Sequence, residues 1–333
     1  MDFVNETKRF RETDADIAQA AEILRHGGTV ALPTETVYGL GANAMDPSAV
    51  AKIFAAKERP NWDPLIVHVS DETMLHRVVR EVSPAGQKLM DAFWPGPLTL
   101  LLPKSDAVPE SVTAGRSLVG VRMPRHRVML RVIREAGVPV AAPSANRFGR
   151  TSPTTAAHVL EDLDGRMDAI VDGGATEVGV ESTVVDPSQS PMVVYRPGAV
   201  TLEMLQAATG IPAVLFDPPA TQQQPESLPS PGVGIRHYAP RARLLLVKDE
   251  AALAETVKSL APERVGVLLP AGWRPVGEVF HWGNTPEEMA QRLFAGMREL
   301  DARGVTVIVC PLPGEEGVGA ALLDRLRKAS RTS

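Results

Sequence analysis

The stretch "GGTVALPTETVYGLG", residues 27–41, decides the architecture. Its two leading glycines stop a preceding helix, "TVALPT" (29–34) suits a buried strand, and the strand end runs into a glycine-rich turn. Upstream, residues 14–26 read as that helix. Thr13 or Asp14 supplies the cap, and Ile17, Ala21 and Leu24 share one face. Downstream, Asp46-Pro47-Ser48 opens a second helix that carries Val50, Ile53 and Phe54 inward and ends at Lys57–Pro60. Strand and amphipathic helix alternate, which predicts an α/β fold.

Working outward, further apolar runs lie at 65–69 ("LIVHV"), 98–102 ("LTLLL"), 118–123 ("LVGVRM") and 138–142 ("VPVAA"). Three more follow at 168–172, 182–186 and 192–196. Helical patterns near 71–80, 83–92, 126–136 and 153–163 separate some of them, whereas "DPSQSP" is a short hairpin-like turn. That mixture predicts a mixed sheet. Residues 211–240, which include "DPPATQQQPESLPSPGVG", lack periodicity and read as a Pro-rich linker or lid. Beyond it, strands at "RLLLV", "RVGVLLP", "VGEVFHW" and "VTVIVCP" alternate with helices at 250–260, 286–300 and 317–328. The expected organisation is a catalytic domain over 1–210, the linker over 211–240, and a smaller three-layer α/β domain over 241–333. The last is Rossmann-like in pattern but has no GxGxxG after its first strand.

Composition narrows the function classes. A net charge of −5 argues against a surface built throughout for nucleic acid. Locally, nine basic residues between Lys104 and Arg150 face only Asp106, Glu110 and Glu135, which suits an anionic small ligand or a weak RNA contact. The single cysteine, Cys310, excludes an internal disulfide and a thiolate zinc site, and a reducing cytoplasm is the expected compartment. No apolar run reaches membrane-spanning length, so no membrane role is expected.

The chemistry concentrates in two short segments. "KERP" offers Lys57 and Arg59, two cations just before a helix-breaking proline, and "PSANRFGRTSPT" offers the Ser144 hydroxyl and the Asn146 amide. Cations opposite short polar side chains suit a polyphosphate and its Mg²⁺. His68 interrupts an apolar strand, and so does Arg122. A buried guanidinium needs a carboxylate or an anionic ligand, and His68 fits either a core histidine or a ligand contact. Glu181-Ser182-Thr183 opens another strand with hydroxyls. Ser152-Pro153 reads as a helix cap with proline at the first position. Arg196 and the linker residue Tyr238 complete the set, Tyr238 serving as an anchor or as part of a lid. No Ser-His-Asp grouping and no GxSxG appears. Positioning and charge neutralisation at phosphorus therefore fit better than covalent catalysis.

In order along the chain, "GGTVALPTETVYGLG", "KERP…PLIVHV", "WPGPLTLLLP", "VRMP", "PSAN…SPT", "ESTVVD" and "YRPGAV" resemble the YrdC-like family. With "GIRHYAP" and the C-terminal α/β unit, the chain is similar to the long, two-domain threonylcarbamoyl-AMP synthase form of that family. The resemblance implies a cytoplasmic nucleotidyltransferase that joins L-threonine, bicarbonate and ATP into threonylcarbamoyl-adenylate and releases pyrophosphate. Downstream tRNA-modifying proteins would consume the product. It implies Lys57, Arg59, Ser144 and Asn146 as catalytic, phosphate-contacting residues, with Mg²⁺ held through ATP and possible help from Ser144 and Asn146. Further ATP contacts fall on Ser152, Arg196 and Tyr238, and the threonine site on Thr36, His68, Arg122, Ser182 and the backbone of Ala142. Two other readings remain open. One is a carbamoyltransferase of related fold, disfavoured by the lone cysteine. The other is an RNA-binding or ribosome-maturation protein using the 104–150 basic face, disfavoured because Phe148 is that stretch's only aromatic residue.

Overall fold

The computed structural model describes residues 6–217, 227–230 and 237–331; residues 218–226 and 231–236 of the expected linker lie outside these. Eleven strands form the first sheet: β1 (Lys8–Phe10), β2 (Val30–Leu32), β3 (Gly39–Asn43), β4 (Ile66–His68), β5 (Leu98–Pro103), β6 (Leu118–Arg122), β7 (Val140–Ala141), β8 (Ala169–Val171), β9 (Thr183–Asp186), β10 (Met192–Arg196) and β11 (Ala213–Leu215). They run in the order β1-β8-β2-β3-β7-β4-β6-β5-β9-β10-β11. The pairing is mixed: β4 lies parallel to β6 and β5 to β9, while β2/β3, β4/β7, β5/β6 and β9/β10 are antiparallel. The segment 211–217, read as the start of a linker, supplies β11 at the edge of this sheet.

Eight helices accompany the first sheet: α1 (Asp14–Arg25), α2 (Pro47–Lys57), α3 (Glu72–Val78), α4 (Pro84–Phe93), α5 (Glu110–Thr113), α6 (Arg127–Ala136), α7 (Ala156–Leu163) and α8 (Leu202–Thr209). Side-chain caps from Thr13, Asp46, Asp71 and Ser83 satisfy their leading N–H groups, each contributing about 1 kcal/mol. Helix α7 begins later than its sequence suggests. Thr155 is its cap, and Ser152 is released for another contact.

Strand alternation explains why polar residues stand in apolar runs. Val67, Leu100, Val119, Val121 and Val185 join the helix-covered core with Leu24, Ile53, Leu75 and Ile133. Their neighbours in the same strands, Ile66, His68, Thr99, Gly120, Arg122 and Val184, must face the other way. The register puts His68 directly beside Arg122 and Ile66 beside Gly120. One sheet face therefore builds the core, and the other presents the chemistry.

The second sheet is wholly parallel, with β12 (Arg243–Val247), β13 (Val265–Pro270), β14 (Glu278–Gly283) and β15 (Val307–Pro311) in the order β12-β15-β13-β14. Val267, Leu269 and Val309 pack with Leu253 of α9 (Glu250–Ser259), whereas Leu268, Ile308 and Cys310 pack toward α10 (Pro286–Ala302) and α11 (Val318–Ala329). This is the expected three-layer arrangement.

The two sheets share a core. Val37 and Val180 join Tyr238, Leu244, Phe294 and Leu326 in one apolar cluster. Arg298 of α10 crosses to Asp162 at 2.6 Å, Glu161 at 3.0 Å and the Thr151 carbonyl at 2.6 Å. No helix among the described residues is long and apolar enough to cross a membrane.

The basic stretch is less cationic in space than along the chain. Arg122 meets Glu35, Arg125 meets Glu177, Arg127 meets Glu12, and Arg131 meets Asp14 and Glu135. Most of these acids lie outside residues 104–150, which a linear count cannot register.

Candidate active site

A cleft opens on the sheet face opposite the helix-covered core. Thr36, His68, Arg122, Ala142 and Ser182 line it, together with Arg59, Ser144, Arg196 and Tyr238. All five residues expected around the amino acid thus share one cavity with four of the seven expected around the nucleotide. Lys57, Asn146 and Ser152 are buried behind the lining.

Arg122 is 3% exposed and sits at the end of β6. Its Nε donates to the Gly96 carbonyl at 3.1 Å, its Nη1 to Thr36 Oγ1 at 2.9 Å, and its Nη2 lies 2.8 Å from Glu35 Oε1. That last contact is an ion pair without hydrogen-bond alignment, so the Nη2 hydrogens remain available to a carboxylate. Burial alone would raise the Glu35 carboxyl. The adjacent charge of Arg122, with backbone hydrogen bonds including one from the Arg125 N–H, outweighs it and holds the group below the usual carboxylate range.

His68, one strand over, has its pKa pushed down to about 3, first by burial and then by the Arg122 charge. It is therefore neutral at pH 7 and its Nδ1 has no partner in the protein, which suits a hydrogen bond to a bound hydroxyl or amine. The sign of the stability effect follows. The unfolded chain takes up a proton near pH 6.5 that the folded chain refuses, so stability falls as pH drops through 6.5. Between pH 7 and pH 5 this single group costs about 2 kcal/mol. Urea unfolding at both pH values measures it: His68→Gln should lose about 2 kcal/mol less than the parent protein on acidification. Equal losses would contradict a buried neutral imidazole.

The phosphate-side residues are arranged differently from their expected roles. Lys57, the last residue of α2, is 1% exposed and donates to the backbone carbonyls of Ser144 and Asn146. Its ammonium holds the Ser144–Asn146 loop, and Lys57 is not among the residues that line the cleft. Burial, then the nearby charge of Arg59, lowers its pKa well below the ordinary lysine value. Glu58 ends α2 in a left-handed turn at φ 56°, and Pro60 prevents any continuation. Arg59 is then held by Asp63 Oδ2 at 2.9 Å, the Asp63 carbonyl at 3.1 Å and the Pro64 carbonyl at 2.8 Å.

Ser144 lies on the loop after β7, where a bridge to Gly39 brings two backbones together. A Cβ on Gly39 would stand 3.1 Å from the Ala142 Cβ, so a larger residue there would have to push Ala142 back by a few tenths of an ångström. Asn146 is fixed by two donations from Nδ2, to the Arg147 and Arg150 carbonyls at 2.7 and 2.9 Å. Its buried Oδ1 is left without a partner. No cluster of three or more His, Cys, Asp or Glu among the described residues could hold a metal. An amide oxygen beside a serine hydroxyl, with the other ligands coming from phosphates and water, nevertheless fits the oxygen preference of Mg²⁺.

On the far wall, Arg196 donates through Nε to the Ser182 carbonyl at 3.0 Å and through Nη2 to Ser182 Oγ at 3.1 Å, while Thr99 Oγ1 pairs with that hydroxyl at 2.8 Å. Ser152 donates to Glu181. Tyr238 adopts φ 65° and is 1% exposed, stacked on Phe294 of α10 at 5.8 Å. The anchor reading therefore fits it, and it lines the cleft as well. Sequence reasoning did not identify Glu35, Asp63 or His237 as part of the site. Glu35 stands inside the opening motif, and its clue was the demand of Arg122 for a carboxylate. Asp63 lies four residues after Arg59, a spacing that permits an ion pair but does not single it out. His237 adjoins Tyr238 and gave no separate signal.

Comparisons with known proteins bear on this arrangement. The family model described as "Telomere recombination" matches residues 22–198, and that described as "Threonylcarbamoyl-AMP synthase, C-terminal domain" matches residues 200–331. The chain is 42% identical to a threonylcarbamoyl-AMP synthase of Pyrococcus abyssi, covering 98% of this chain and 97% of the other. It is 43% identical to one from Bacillus subtilis, covering 98% and 96%. The crystal structure of P. abyssi Sua5 complexed with L-threonine superposes with a TM-score of 0.90 at 42% identity, covering 97% of each chain.

Proposed function

The chain belongs to the two-domain Sua5 family of threonylcarbamoyl-AMP synthases, and from that premise we propose that bicarbonate is its third substrate beside L-threonine and ATP. The carrying observation is that one cleft is lined by Arg122 and His68 together with Arg59, Ser144 and Arg196. One wall suits an amino-acid zwitterion and the other a polyphosphate.

In this reading the threonine carboxylate meets Arg122, whose Nη2 lies 2.8 Å from Glu35 with no hydrogen bond aligned on it. Thr36, neutral His68 and Ser182 surround its amine and hydroxyl. A site that hydrogen-bonds the substrate hydroxyl rejects analogues lacking it, because its own polar groups would otherwise stay unpaired. The amine, after its ammonium form gives up a proton, adds to the carbon of bicarbonate with loss of water, and an oxygen of the resulting carbamate displaces pyrophosphate at the α-phosphorus. Arg59 and Arg196 balance the charge that grows on the leaving phosphates. Lys57 contributes indirectly, by holding the loop that presents Ser144 and Asn146. Ser144 Oγ and Asn146 Oδ1 are the protein oxygens that would hold Mg²⁺. The ion would supply further neutralisation of phosphate charge. Downstream proteins that modify tRNA would receive the adenylate, directly or by diffusion. An RNA contact by the exposed Arg147 and Arg150 would be secondary to this activity.

Pyrophosphate release from ATP by the purified chain tests the reading. Release should require L-threonine and bicarbonate together. Release that ignores threonine would remove the proposal.

A further inference from the structure

One wall of the cleft carries a group that the proposed chemistry does not use and should not tolerate. Glu181 is a buried carboxylate on the lining, in a cavity read as accepting a triphosphate. Left to itself it would repel phosphate in a poorly screened environment, or draw Arg196 away from the ligand. It is not left to itself. Arg325, from the C-terminal helix α11, reaches it with Nε at 2.9 Å from Glu181 Oε2.

We propose that Arg325 is a positioning residue of the adenylate-forming site: it neutralises Glu181 from behind and fixes the start of β9, beside Ser182, against the end of β10, at Arg196. The proposal rests on the reading of the cleft as an ATP site.

The geometry supports more than an ordinary link between two halves of a protein. Arg325 is 0% exposed and binds the wall at three points: the Glu181 carboxylate, the Glu181 carbonyl at 3.3 Å and the Pro197 carbonyl at 2.7 Å. Glu181 and Pro197 are the chain neighbours of Ser182 and Arg196, and those two residues are bonded to each other. One guanidinium thus holds the backbone on both sides of the Ser182–Arg196 contact. The other oxygen of Glu181 accepts from Ser152, so the same carboxylate orients a second residue of the nucleotide side beside Arg196. Asp324 lies 2.9 Å from Arg325 Nη1, which leaves the group locally balanced and not a surplus cation aimed at the ligand. Finally, the Arg325 guanidinium lies 5.2 Å from the Tyr238 ring centroid, tying the linker residue to the same point. The C-terminal body therefore completes the ATP wall, and the first sheet alone would leave Glu181 unneutralised.

A charge cycle in the full-length protein tests this. Arg325→Met should raise the KM for ATP by about 30-fold, as removing one partner of a buried charge pair does, while threonine affinity by calorimetry stays within about threefold, because Arg122 is untouched and Thr99 Oγ1 still holds the Ser182 hydroxyl. Removing both charges, in Glu181→Gln with Arg325→Met, should return the KM for ATP to within about fivefold of the parent. Arg325→Lys should fall between, because it keeps the charge but loses the three-point grip. An unchanged KM for ATP in Arg325→Met overturns the proposal. So does an equal loss of ATP and threonine binding in single and double variants, which would mark general support of the fold. If the parent protein releases pyrophosphate without regard to threonine, the reading of the cleft falls, and the proposal with it. A parent that responds to threonine beside an unaffected Arg325→Met overturns the proposal alone.

Discussion

Replacing Arg122 with methionine should lower kcat/KM for L-threonine by about a thousandfold, since two charged hydrogen bonds at roughly 1.5–3 kcal/mol each are lost. Methionine keeps much of the volume, so packing against Gly96 and Thr36 changes little. The electrostatic consequence is larger. Glu35, 1% exposed, would stand without its counter-charge, costing about 3–5 kcal/mol of stability. The pH dependence changes sign in a diagnostic way. In the parent protein the Glu35 carboxyl lies below its unfolded value, so its stabilisation is present above about pH 4.5 and is lost on acidification. In the variant only backbone hydrogen bonds, among them one from the Arg125 N–H, still oppose burial, and acid should relieve the unpaired carboxylate and not weaken a pair. Adding Glu35→Gln should recover most of the lost stability without recovering threonine turnover. Recovery of both would place the substrate carboxylate elsewhere.

The second large effect concerns Arg59. Arg59→Met should reduce kcat/KM for ATP by about a hundredfold to a thousandfold, the usual scale for removing a donor to developing negative charge. A simple activity assay would mislead here, because Arg59 is also structural. Asp63, 2.9 Å away and 1% exposed, would be orphaned, and the 59–64 turn would lose two further carbonyl contacts. Burial already pushes the Asp63 carboxyl up against the pull of Arg59 and Lys57. The single variant should therefore unfold more readily, by about 3 kcal/mol. Asp63→Asn added to Arg59→Met should restore stability and threonine binding but leave ATP turnover impaired. Urea unfolding and calorimetry separate the two losses. Turnover restored together with stability would assign Arg59 to the fold and not to phosphate.

Much of this arrangement is legible before any coordinates. Periodicity placed the strand at 29–34, the helix closing at Lys57 and the alternation of the C-terminal unit, because each rests on local pattern and punctuation. Arg122 and His68 stood out for the same reason: a polar residue in an apolar strand must face a ligand or a partner. What escaped depends on distance along the chain. Strand β3, Gly39–Asn43, looked like a glycine-rich turn, since its glycines reflect the close approach of the 140–144 segment, Ala142 at Gly39 and Val140 at Gly41, and not a bend. Strand β11 is only three residues long with two exposed side chains, so nothing local marks it. Lys57 read as a free cation because its carbonyl partners lie 87 and 89 residues away. Arg325 sits in an ordinary amphipathic helix, and only the packing of α11 against the first body brings it to Glu181. Charge counting along 104–150 failed similarly, its acids coming from Glu12, Asp14, Glu35 and Glu177.

The central claim is that one cleft joins threonine, a bicarbonate carbon and the adenylyl group. Carbon-labelled bicarbonate incubated with ATP, L-threonine and the full-length chain tests it most directly, with the nucleotide products resolved by mass. The arrangement predicts a threonine-containing adenylate that carries the label and forms with stoichiometric pyrophosphate. Formation of an unlabelled threonyl adenylate, or of pyrophosphate without a labelled product, would contradict it.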